Sequence, residues 1–318
     1  MKAIAITEFG GKEKLTLMDL PQPVAKKGEV LIRVKAAGIN PVDCKIRNGM
    51  LTKRMPYHFP IILGWDASGV VEKTGEGVSS VAAGDAVFAY CRTESIHAGA
   101  YAEYIALPEN NVAKKPSTMS FEEAASVPLA GLTAYQALFD AAQLKMGETV
   151  LIHRAAGGVG GFAVQLASTI KARVIGTARE ANHQYILSLG ADMAIDYTQE
   201  DFEEIVLSRF ASGIHVVLDT LGEETTFKSI RILAKGGRLV SIASVLNDAL
   251  KTECERRDVR YTYVFVSPNS GQLTQLARFI EEGQLRTHLA AVLPLEQADR
   301  AHEMIERGHT RGKIVVTI

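Results

Sequence analysis

The stretch TVLIHRAAGGVGGFAVQLA, residues 149–167, decides the fold that we predict for this chain. A short β-branched run, a turn of small residues and an alanine-rich helical pattern follow one another, as in the strand, turn and helix that bind a dinucleotide pyrophosphate. Gly157 lets the backbone approach the phosphates, Gly160 lets the helix and strand pack closely, and the helix start offers N–H groups to an anion. Ala155 stands where a first glycine is usual, and it can make the turn if its φ is negative.

A second strand should follow this helix and end beside the adenosine ribose. Residues 173–179, RVIGTAR, fit that strand. Asp or Glu at the strand end would accept hydrogen bonds from the ribose hydroxyls, but this chain has Thr177, Ala178 and Arg179 there, and a guanidinium favours a 2′-phosphate. The alternative is that Arg179 only solvates the start of a surface helix while Glu180 binds the ribose.

Length and composition indicate a globular protein with two lobes. A chain of 318 residues exceeds what one hydrophobic core usually supports, and 47% hydrophobic with 22% charged residues is typical of an enzyme or binding protein. The net charge of −1 argues against a nucleic-acid or membrane-surface partner. The N-terminus enters a strand-like pattern without a signal peptide or a membrane-spanning run, so we expect a cytoplasmic protein.

The cysteines and histidines show no pattern that indicates disulfides or metal. Cys44, Cys91 and Cys254 are too few and too scattered for a disulfide framework or a zinc ribbon, and the 8 histidines form no His-x-x-x-His pair. We therefore expect no metal site. Cys44 is either a reactive thiol or a packed one, and the sequence shows no activating base beside it.

The pattern along the chain changes twice. Residues 1 to about 120 predict short alternating strands separated by turns rich in glycine, proline and acidic residues, which is typical of a small all-β barrel. From residue 121 helical and strand patterns alternate, which indicates a doubly wound parallel sheet with its ligand at the carboxyl ends of the strands. The candidate parallel strands are 149–152, 173–176, 193–196, 216–218 and 238–241.

After about residue 260 the pattern is mixed again, and residues 312–318 predict a strand that could complete the first lobe. The dinucleotide-binding lobe is then an insertion between two pieces of the other lobe. We predict a catalytic domain formed by residues 1–123 and 261–318, and a cofactor-binding domain formed by residues 124–260.

Six motifs, spread over nearly the whole chain, resemble those of the medium-chain dehydrogenase/reductase superfamily. Within it they are most similar to the zinc-independent quinone oxidoreductase group, which includes zeta-crystallin and the plant alkenal/enone reductases. The resemblance implies an α/β protein with a GroES-like β-barrel catalytic domain, an inserted Rossmann sheet and a homodimeric state. The motifs are AGINPVD (37–43), LGWDASGVV (63–71), GAYAEY (99–104), AAGGVG (155–160), LGAD with IDY (189–197) and GHTRGK (308–313).

Two absences place the chain among the zinc-independent members. Zinc alcohol dehydrogenases carry a cysteine in the segment where this chain has Asn40 to Asp43, and Gly-His-Glu where it has Gly64, Trp65 and Asp66. Without a Lewis-acid metal, reversible alcohol oxidation is not expected. The resemblance implies instead that hydride passes from NADPH to a quinone or to the β-carbon of an enone.

The resemblance also implies a set of cofactor-binding residues. The implied ligands are the pyrophosphate for Gly157, Gly158, Val159 and Gly160, the 2′-phosphate for Thr177, Ala178 and Arg179, the adenosine ribose-phosphate for Tyr197, and the nicotinamide for Leu221, Ala243, Phe265 and Val266. The alternative for Tyr197 is a half-buried tyrosine at a strand end with no cofactor role.

Lys45 is the candidate catalytic residue. It completes a segment similar to that of the alkenal reductases, whose lysine approaches the nicotinamide ribose and the acceptor, and a cation there would stabilise an enolate. The alternative is a solvated surface lysine. Asn40 and Asp43 could hydrogen-bond within the turn, and Asp43 could hold Lys45 in place. Tyr57 and Tyr101 are either hydroxyl donors or packing residues.

These observations predict an NADPH-dependent, zinc-free reductase of quinones or α,β-unsaturated carbonyls. One alternative is an enoyl-thioester reductase, for which Lys53 and Arg54 could bind the carrier phosphates. The other is a catalytically silent, NADPH-binding protein of the crystallin-like or RNA-associated kind. The chain has no basic cluster with interleaved aromatic residues, and its run ERRD at 255–258 is self-neutralised, so we expect no nucleic-acid partner.

Overall fold

The computed structural model describes residues 1–318 and divides them into two compact units. The first unit consists of Met1–Leu132 with Ser267–Ile318, and the second of Thr133–Val266. None of the helices combines the length and the apolar character that crossing a bilayer requires.

Sixteen strands and ten α-helices follow one another along the chain. The first unit begins with β1 (Lys2–Ile6), β2 (Thr16–Asp19), β3 (Glu29–Ile39), α1 (Pro41–Arg47), β4 (Ile61–Ile62), β5 (Asp66–Thr74), β6 (Ala86–Tyr90), β7 (Tyr104–Pro108), β8 (Val112–Lys114) and α2 (Phe121–Ala125). Helix α3 (Pro128–Tyr135) contains the boundary between Leu132 and Thr133. The second unit contains β9 (Thr149–Ile152), α4 (Gly158–Thr169), β10 (Arg173–Thr177), α5 (His183–Ser188), β11 (Met193–Ile195), α6 (Phe202–Arg209), β12 (Ile214–Asp219), α7 (Glu223–Arg231), β13 (Leu233–Ser241), α8 (Asp248–Arg257) and β14 (Arg260–Tyr263). The chain ends with α9 (Ser270–Glu281), β15 (Leu289–Pro294), α10 (Ala298–Arg307) and β16 (Lys313–Thr317). Short 3₁₀ turns lie at Lys12–Lys14, Glu109–Asn111, Glu180–Asn182 and Leu295–Gln297, and a π-helical turn at Gln136–Ala141 continues α3.

The first unit is built around the long strand β3. Its main sheet has the order β15-β16-β3-β5-β6-β8, with β7 also paired to β3, and a smaller sheet has the order β2-β1-β4. Strand β16 runs antiparallel to β3, with Val316 opposite Ala37. This pairing confirms the prediction that a C-terminal strand completes the first lobe.

The expectation that residues 1 to about 120 are all strand was wrong at α1. The backbone N–H of Asn40 donates to Oδ2 of Asp43 at 2.8 Å, and Pro41 follows at the first helical position. A carboxylate three residues after the N-cap and a proline with preset φ together start a helix. The helix was missed because it spans only 7 residues, too short for a periodic pattern.

The second unit is a parallel sheet with strand order β11-β10-β9-β12-β13-β14. This is the strand order of a Rossmann fold, in which a ligand binds at the carboxyl ends of the central strands. The sheet confirms the prediction of a doubly wound parallel fold. Its hydrophobic core includes Leu151, Ile175, Val217, Ile230 and Leu239, all nearly inaccessible to solvent.

The division into units falls at residues 132/133 and 266/267, whereas the sequence placed the boundaries at 123/124 and 260/261. Two packing contacts account for the difference. Helix α2 packs against β3 and β5 and therefore belongs to the first unit. Strand β14, beyond the predicted strands, pairs with β13 and extends the sheet of the second unit.

Candidate cofactor and active site

The glycine turn joins β9 to α4. Gly157 is the N-cap of α4, with φ −80°, and its N–H donates to the Arg154 carbonyl at 2.9 Å. The first intrahelical bond runs from the Gly161 N–H to the Gly157 carbonyl at 2.8 Å. The preceding N–H groups of the first helical turn therefore have no intrahelical acceptor, and they form an anion-binding helix start.

Gly160 allows this turn to close. A Cβ atom at Gly160 would lie 2.2 Å from the carbonyl oxygen of Arg154 and 2.8 Å from the Cα atom of Ala155, so no other residue fits. At Gly157 the nearest atom to such a Cβ is the Arg154 oxygen, at 3.3 Å. Gly160 is thus required for packing, whereas the space beside Gly157 is open to a ligand.

Ala155 occupies the first-glycine position without a positive φ. The left-handed residue of the turn is instead Arg154, with φ 50°. The methyl group of Ala155 is buried against β10, where a Cβ on Gly176 would approach it to 2.7 Å. A glycine in the neighbouring strand therefore makes room for the alanine in the turn.

At the end of β10 the three predicted residues have different environments. Thr177 and Ala178 are buried, and the Ala178 N–H donates to the Ile195 carbonyl at 3.0 Å. Arg179 is exposed directly after them. Of these three side chains, the guanidinium is therefore the one accessible to a phosphate in solution.

The buried histidine His153 lies between the Thr177 hydroxyl and Ser229. Because the Ser229 hydroxyl donates to the Thr225 carbonyl at 2.7 Å, its oxygen accepts from Nε2 of His153 at 2.9 Å. Nδ1 of His153 then accepts from the Thr177 hydroxyl at 3.2 Å. Burial lowers the pKa of His153 to about 4, with Asp219 opposing the shift, so the imidazole is neutral and links β9, β10 and α7.

Tyr197 follows β11 and is 45% exposed, so its ring is accessible at the third strand end. Its neighbour Asp196 accepts from the Thr198 N–H at 2.9 Å, from the Thr198 hydroxyl at 2.8 Å and from the Glu180 N–H at 3.2 Å. These hydrogen bonds hold the pKa of Asp196 below its usual value. The carboxylate thus fixes the backbone at Glu180, whose side chain is exposed.

Asp219 organises the loops after β12 and β13. Its Oδ1 accepts from the N–H groups of Leu221 and Gly222, both at 2.9 Å, and its Oδ2 accepts from the Thr226 hydroxyl at 2.7 Å and the Ser241 hydroxyl at 3.0 Å. Because β12 pairs with β9 in parallel, these loops lie at the same sheet edge as the glycine turn.

The four residues predicted at the nicotinamide lie on the loops that follow β12, β13 and β14. Leu221 and Phe265 are half-buried, Ala243 is exposed and Val266 is buried. The Ala243 N–H donates to the Ser241 hydroxyl at 3.2 Å, so the Asp219 network also reaches this loop.

In the first unit, Lys45 projects from α1 into solvent and its ammonium contacts no carboxylate. A direct bond by which Asp43 could hold Lys45 in place is not present, because Asp43 is fully buried and bonds to the Asn40 N–H and the Tyr101 hydroxyl. The bond from Asn40 confirms the alternative of hydrogen bonding within the turn. Tyr101 is buried, whereas Tyr57 is 42% exposed and packs edge-on against Phe9 with ring centroids 5.0 Å apart.

Behind α1 lies a buried polar cluster around Asp66 and Lys313. The Lys313 ammonium contacts Oδ2 of Asp66 at 3.1 Å and also donates to the Asn40 side-chain oxygen. Asp66 accepts further hydrogen bonds from the Asn40 amide at 2.8 Å and the Leu129 N–H at 2.6 Å. Burial raises the pKa of Asp66, and Lys313 and these hydrogen bonds oppose the rise.

Cys44 is a packed thiol. It is 5% exposed, and its Sγ lies 3.4 Å from Nδ1 of His302. Burial is the main reason that its pKa rises to about 12. At neutral pH the thiolate that reactive cysteines require is therefore absent.

Two family models match the chain. One, described as the alcohol dehydrogenase GroES-like domain, covers residues 26–117, and the other, described as zinc-binding dehydrogenase, covers residues 189–316. The quinone oxidoreductase of Lama guanicoe is 33% identical over 331 residues, which cover 100% of this chain and 98% of that protein. The chain belongs to the quinone oxidoreductase group of the medium-chain dehydrogenase/reductases.

Other members of this group show the same relation. The chloroplastic NADPH-dependent alkenal/one oxidoreductase of Arabidopsis thaliana is 32% identical, over 99% of this chain and 79% of that protein. The quinone oxidoreductase structure from Coxiella burnetii matches with a TM-score of 0.90 and 36% identity, over 100% and 99% of the two chains. The Escherichia coli quinone oxidoreductase complexed with NADPH matches with a TM-score of 0.90 and 30% identity, over 100% of both.

As a member of this quinone oxidoreductase group, the chain is an oxidoreductase with a nicotinamide cofactor site. At the two segments where zinc dehydrogenases carry ligands, Asn40 and Asp66 bond instead to the ammonium of Lys313. No three His, Cys, Asp or Glu side chains lie together as a metal ligand set.

Sequence reasoning missed two features of the site. One is Asp219, which lies at a strand end and accepts a hydrogen bond from the N–H of Leu221, two residues later. An aspartate at a strand end is a local sequence signal for such a bond. The other is the group formed by Asp43, Tyr101 and His302, which are far apart in the sequence and carry no local signal.

Proposed function

We propose that this chain is an NADPH-dependent, zinc-free reductase that transfers hydride to a quinone or an α,β-unsaturated carbonyl. The observation that carries the cofactor choice is the exposed Arg179, placed directly after the second strand of the Rossmann sheet. An arginine there provides a planar, always-charged partner for a 2′-phosphate. The similarity to relatives that are named quinone and alkenal/one oxidoreductases supports the acceptor class.

The residues present fit this cofactor. The N–H groups at the start of α4 bind the pyrophosphate, Gly157 leaves room for it, and Asp219 fixes the loops that hold the nicotinamide. When bound, the nicotinamide supplies the hydride. The protein contributes binding and orientation, and Lys45 stabilises the negative charge that develops on the acceptor oxygen. Water then supplies the proton.

The first experiment follows NADPH oxidation by absorbance with purified, chelator-treated protein. The acceptors are a 1,4-quinone, a short enal, an enone and an enoyl-CoA, and the series is repeated with NADH. Turnover with NADPH preferred and no loss after chelation is the expected result. Saturable NADPH binding without turnover of any acceptor would contradict the proposal and favour a silent NADPH-binding protein.

Arg179→Ala should weaken NADPH binding by about 1 to 3 kcal/mol, the loss expected for a charge-assisted hydrogen bond, and should leave NADH binding nearly unchanged. Fluorescence titration with both dinucleotides measures the difference. Arg173→Ala is the matched control, because Arg173 is exposed at the opposite end of the same strand. Equal losses for both cofactors would contradict a 2′-phosphate site at Arg179.

Lys45→Ala should lower kcat with a quinone or an enone by about 10- to 100-fold, somewhat less than for an enclosed oxyanion donor because Lys45 is exposed. NADPH affinity should stay within a few-fold. Lys53→Ala, a nearby exposed lysine, is the control and should keep the activity. If NADPH affinity collapses in the Lys45 variant, the lysine is a cofactor ligand and not a catalytic residue.

The same Lys53 variant tests the enoyl-thioester alternative. If Lys53 binds the carrier phosphates, its loss in this variant should raise KM for an enoyl-CoA and leave KM for a quinone unchanged.

The proposal also includes a cytoplasmic location and a homodimer. Cell fractionation and light scattering are the measurements that check them.

A further inference from the structure

A buried chain of hydrogen bonds ends in a carboxyl oxygen without a partner. Asp43 is fully buried, and both of its donors converge on one oxygen: the Asn40 N–H at 2.8 Å and the Tyr101 hydroxyl at 3.2 Å reach Oδ2. Oδ1 has no hydrogen-bond partner. A buried carboxylate needs partners for both oxygens, because its charge is costly to desolvate. Both donors reach Oδ2, so a proton on Asp43 belongs on Oδ1, where an unpaired neutral hydroxyl costs less than an unpaired buried charge.

The hydrogen atoms in this series of hydrogen bonds can be placed from the chemistry of the donors alone. The Arg47 guanidinium only donates, so Nδ1 of His302 accepts from it at 3.0 Å. The hydrogen of the neutral imidazole is then on Nε2 and is donated to the Tyr101 hydroxyl oxygen at 3.2 Å. Tyr101 in turn donates its own hydrogen to Asp43. Burial, aided by Arg47, lowers the pKa of His302 to about 3, which agrees with a neutral ring.

The second buried carboxyl, Asp66, competes with Asp43 for the single ammonium of Lys313. Both oxygens of Asp66 are occupied by donors, and Lys313 contacts it directly at 3.1 Å. One ammonium neutralises one carboxylate. The negative charge therefore belongs on Asp66, and a proton belongs on Asp43.

We propose that Asp43 carries a proton on Oδ1 at mildly acidic pH and in that form, with Tyr101 and His302, positions helix α1. This inference deepens the proposed function. It rests on that function because α1 carries Lys45, the residue proposed to act on the acceptor. Asp43 lies in the first turn of α1, and Arg47 ends the helix with a bond to Glu306 at 2.6 Å. Lys45 lies between these two anchored turns. Asp43 contacts no solvent and is thus a positioning residue.

The pH dependence follows from the burial of Asp43. Burial raises its pKa to about 7, aided by Asp66 and opposed by the Asn40 N–H, Lys313 and Tyr101. The unfolded value is about 3.9, so the stability contributed by the protonated form is fully present below about pH 4 and is lost as pH rises through about 7. The titratable and charged groups around Asp43 are Cys44 and Arg47 of α1, Asp66 of β5, Tyr90 of β6 with the following Cys91, Tyr101, His302 and Glu306 of α10, and Lys313 of β16.

Asp43→Asn tests the inference, because an amide has the shape and neutrality of the protonated acid. The infrared difference spectrum between the two proteins at mildly acidic pH should show the carbonyl band of a protonated carboxylic acid, which is lost in the variant and, in wild type, as pH rises through about 7. The urea midpoint of wild type should fall relative to that of the variant as pH rises from about 5 to about 8.5. Asp85→Asn is the control. The pKa of Asp85 is lowered, so that variant should lose stability and not gain it.

Three results would overturn the protonated state: no acid band assigned to Asp43, parallel urea midpoints at all pH values, or an Asp43→Asn chain that does not fold. These readouts need no turnover, so they remain decisive even if the proposed reductase activity fails. The positioning role is tested by kcat against pH with NADPH and a quinone. The kcat of wild type should fall as pH rises through about 7, whereas the kcat of Asp43→Asn should not change with pH. The two proteins should bind NADPH with the same affinity. Parallel profiles would overturn that role.

Discussion

Lys313→Met is expected to lower the free energy of unfolding by about 3 to 5 kcal/mol, because it leaves the buried carboxylate of Asp66 without its cation. Lys313 is 4% exposed and Asp66 is inaccessible, so water cannot replace the lost partner. The Asn40 side-chain oxygen loses its donor at the same time. Urea unfolding followed by circular dichroism at neutral pH measures the change.

The matched control is Lys114→Met. Lys114 and Asp85 are separated by the same 3.1 Å as the buried pair, but their side chains are 64% and 28% exposed. A surface pair is worth about 0 to 1 kcal/mol, so this variant should be nearly as stable as wild type. The double variant Asp66→Asn/Lys313→Met should recover part of the loss, since it removes the orphaned charge. Equal effects of the two single variants would show that burial of the pair does not determine its contribution.

The parts of the molecule that the sequence predicted are those with local causes. The glycine turn and the strand 149–152 are read from adjacent residues, and the structure places β9 at Thr149–Ile152. The continuous β-branched run at the end of the chain predicts a strand, and the structure places β16 at Lys313–Thr317. In each case one stretch of chain contains the whole signal.

The buried cluster could not be predicted, because its contacts are not local. Asn40 bonds to Asp66 across 26 residues and to Lys313 across 273. A sequence shows each of these residues only as an ordinary polar residue. Their shared burial arises when β16 pairs with β3 and β3 pairs with β5, which brings the three side chains together.

The glycine turn shows the same limit at shorter range. The sequence predicts only that Ala155 fits the turn if its φ is negative, whereas the structure shows a second requirement, the absence of a side chain at Gly176. The turn also contains a left-handed residue that its sequence does not indicate, Arg154 with φ 50°. Such compensation between neighbouring strands depends on register, which the turn sequence does not reveal.

Gly157→Val is expected to abolish detectable NADPH binding, with a loss of at least about 100-fold or about 2.7 kcal/mol, while the chain still folds. The φ of −80° and ψ of 179° suit valine, and the one atom near a new Cβ is the Arg154 oxygen at 3.3 Å. The side chain would therefore fill space that a pyrophosphate needs, and the Arg154 carbonyl oxygen would have to shift by only a few tenths of an ångström. Titration with NADPH, alongside urea unfolding, measures both effects.

Gly160→Ala separates packing from binding at the same turn. Its methyl group would lie 2.2 Å from the Arg154 carbonyl oxygen, so the turn must deform, and we expect a loss of about 3 kcal/mol or more in the free energy of unfolding. NADPH binding should fail in Gly160→Ala because the turn no longer forms.

The result that would contradict the Gly157 prediction is a stable Gly157→Val protein that binds NADPH like wild type. It would show that the phosphates do not approach the backbone at Gly157.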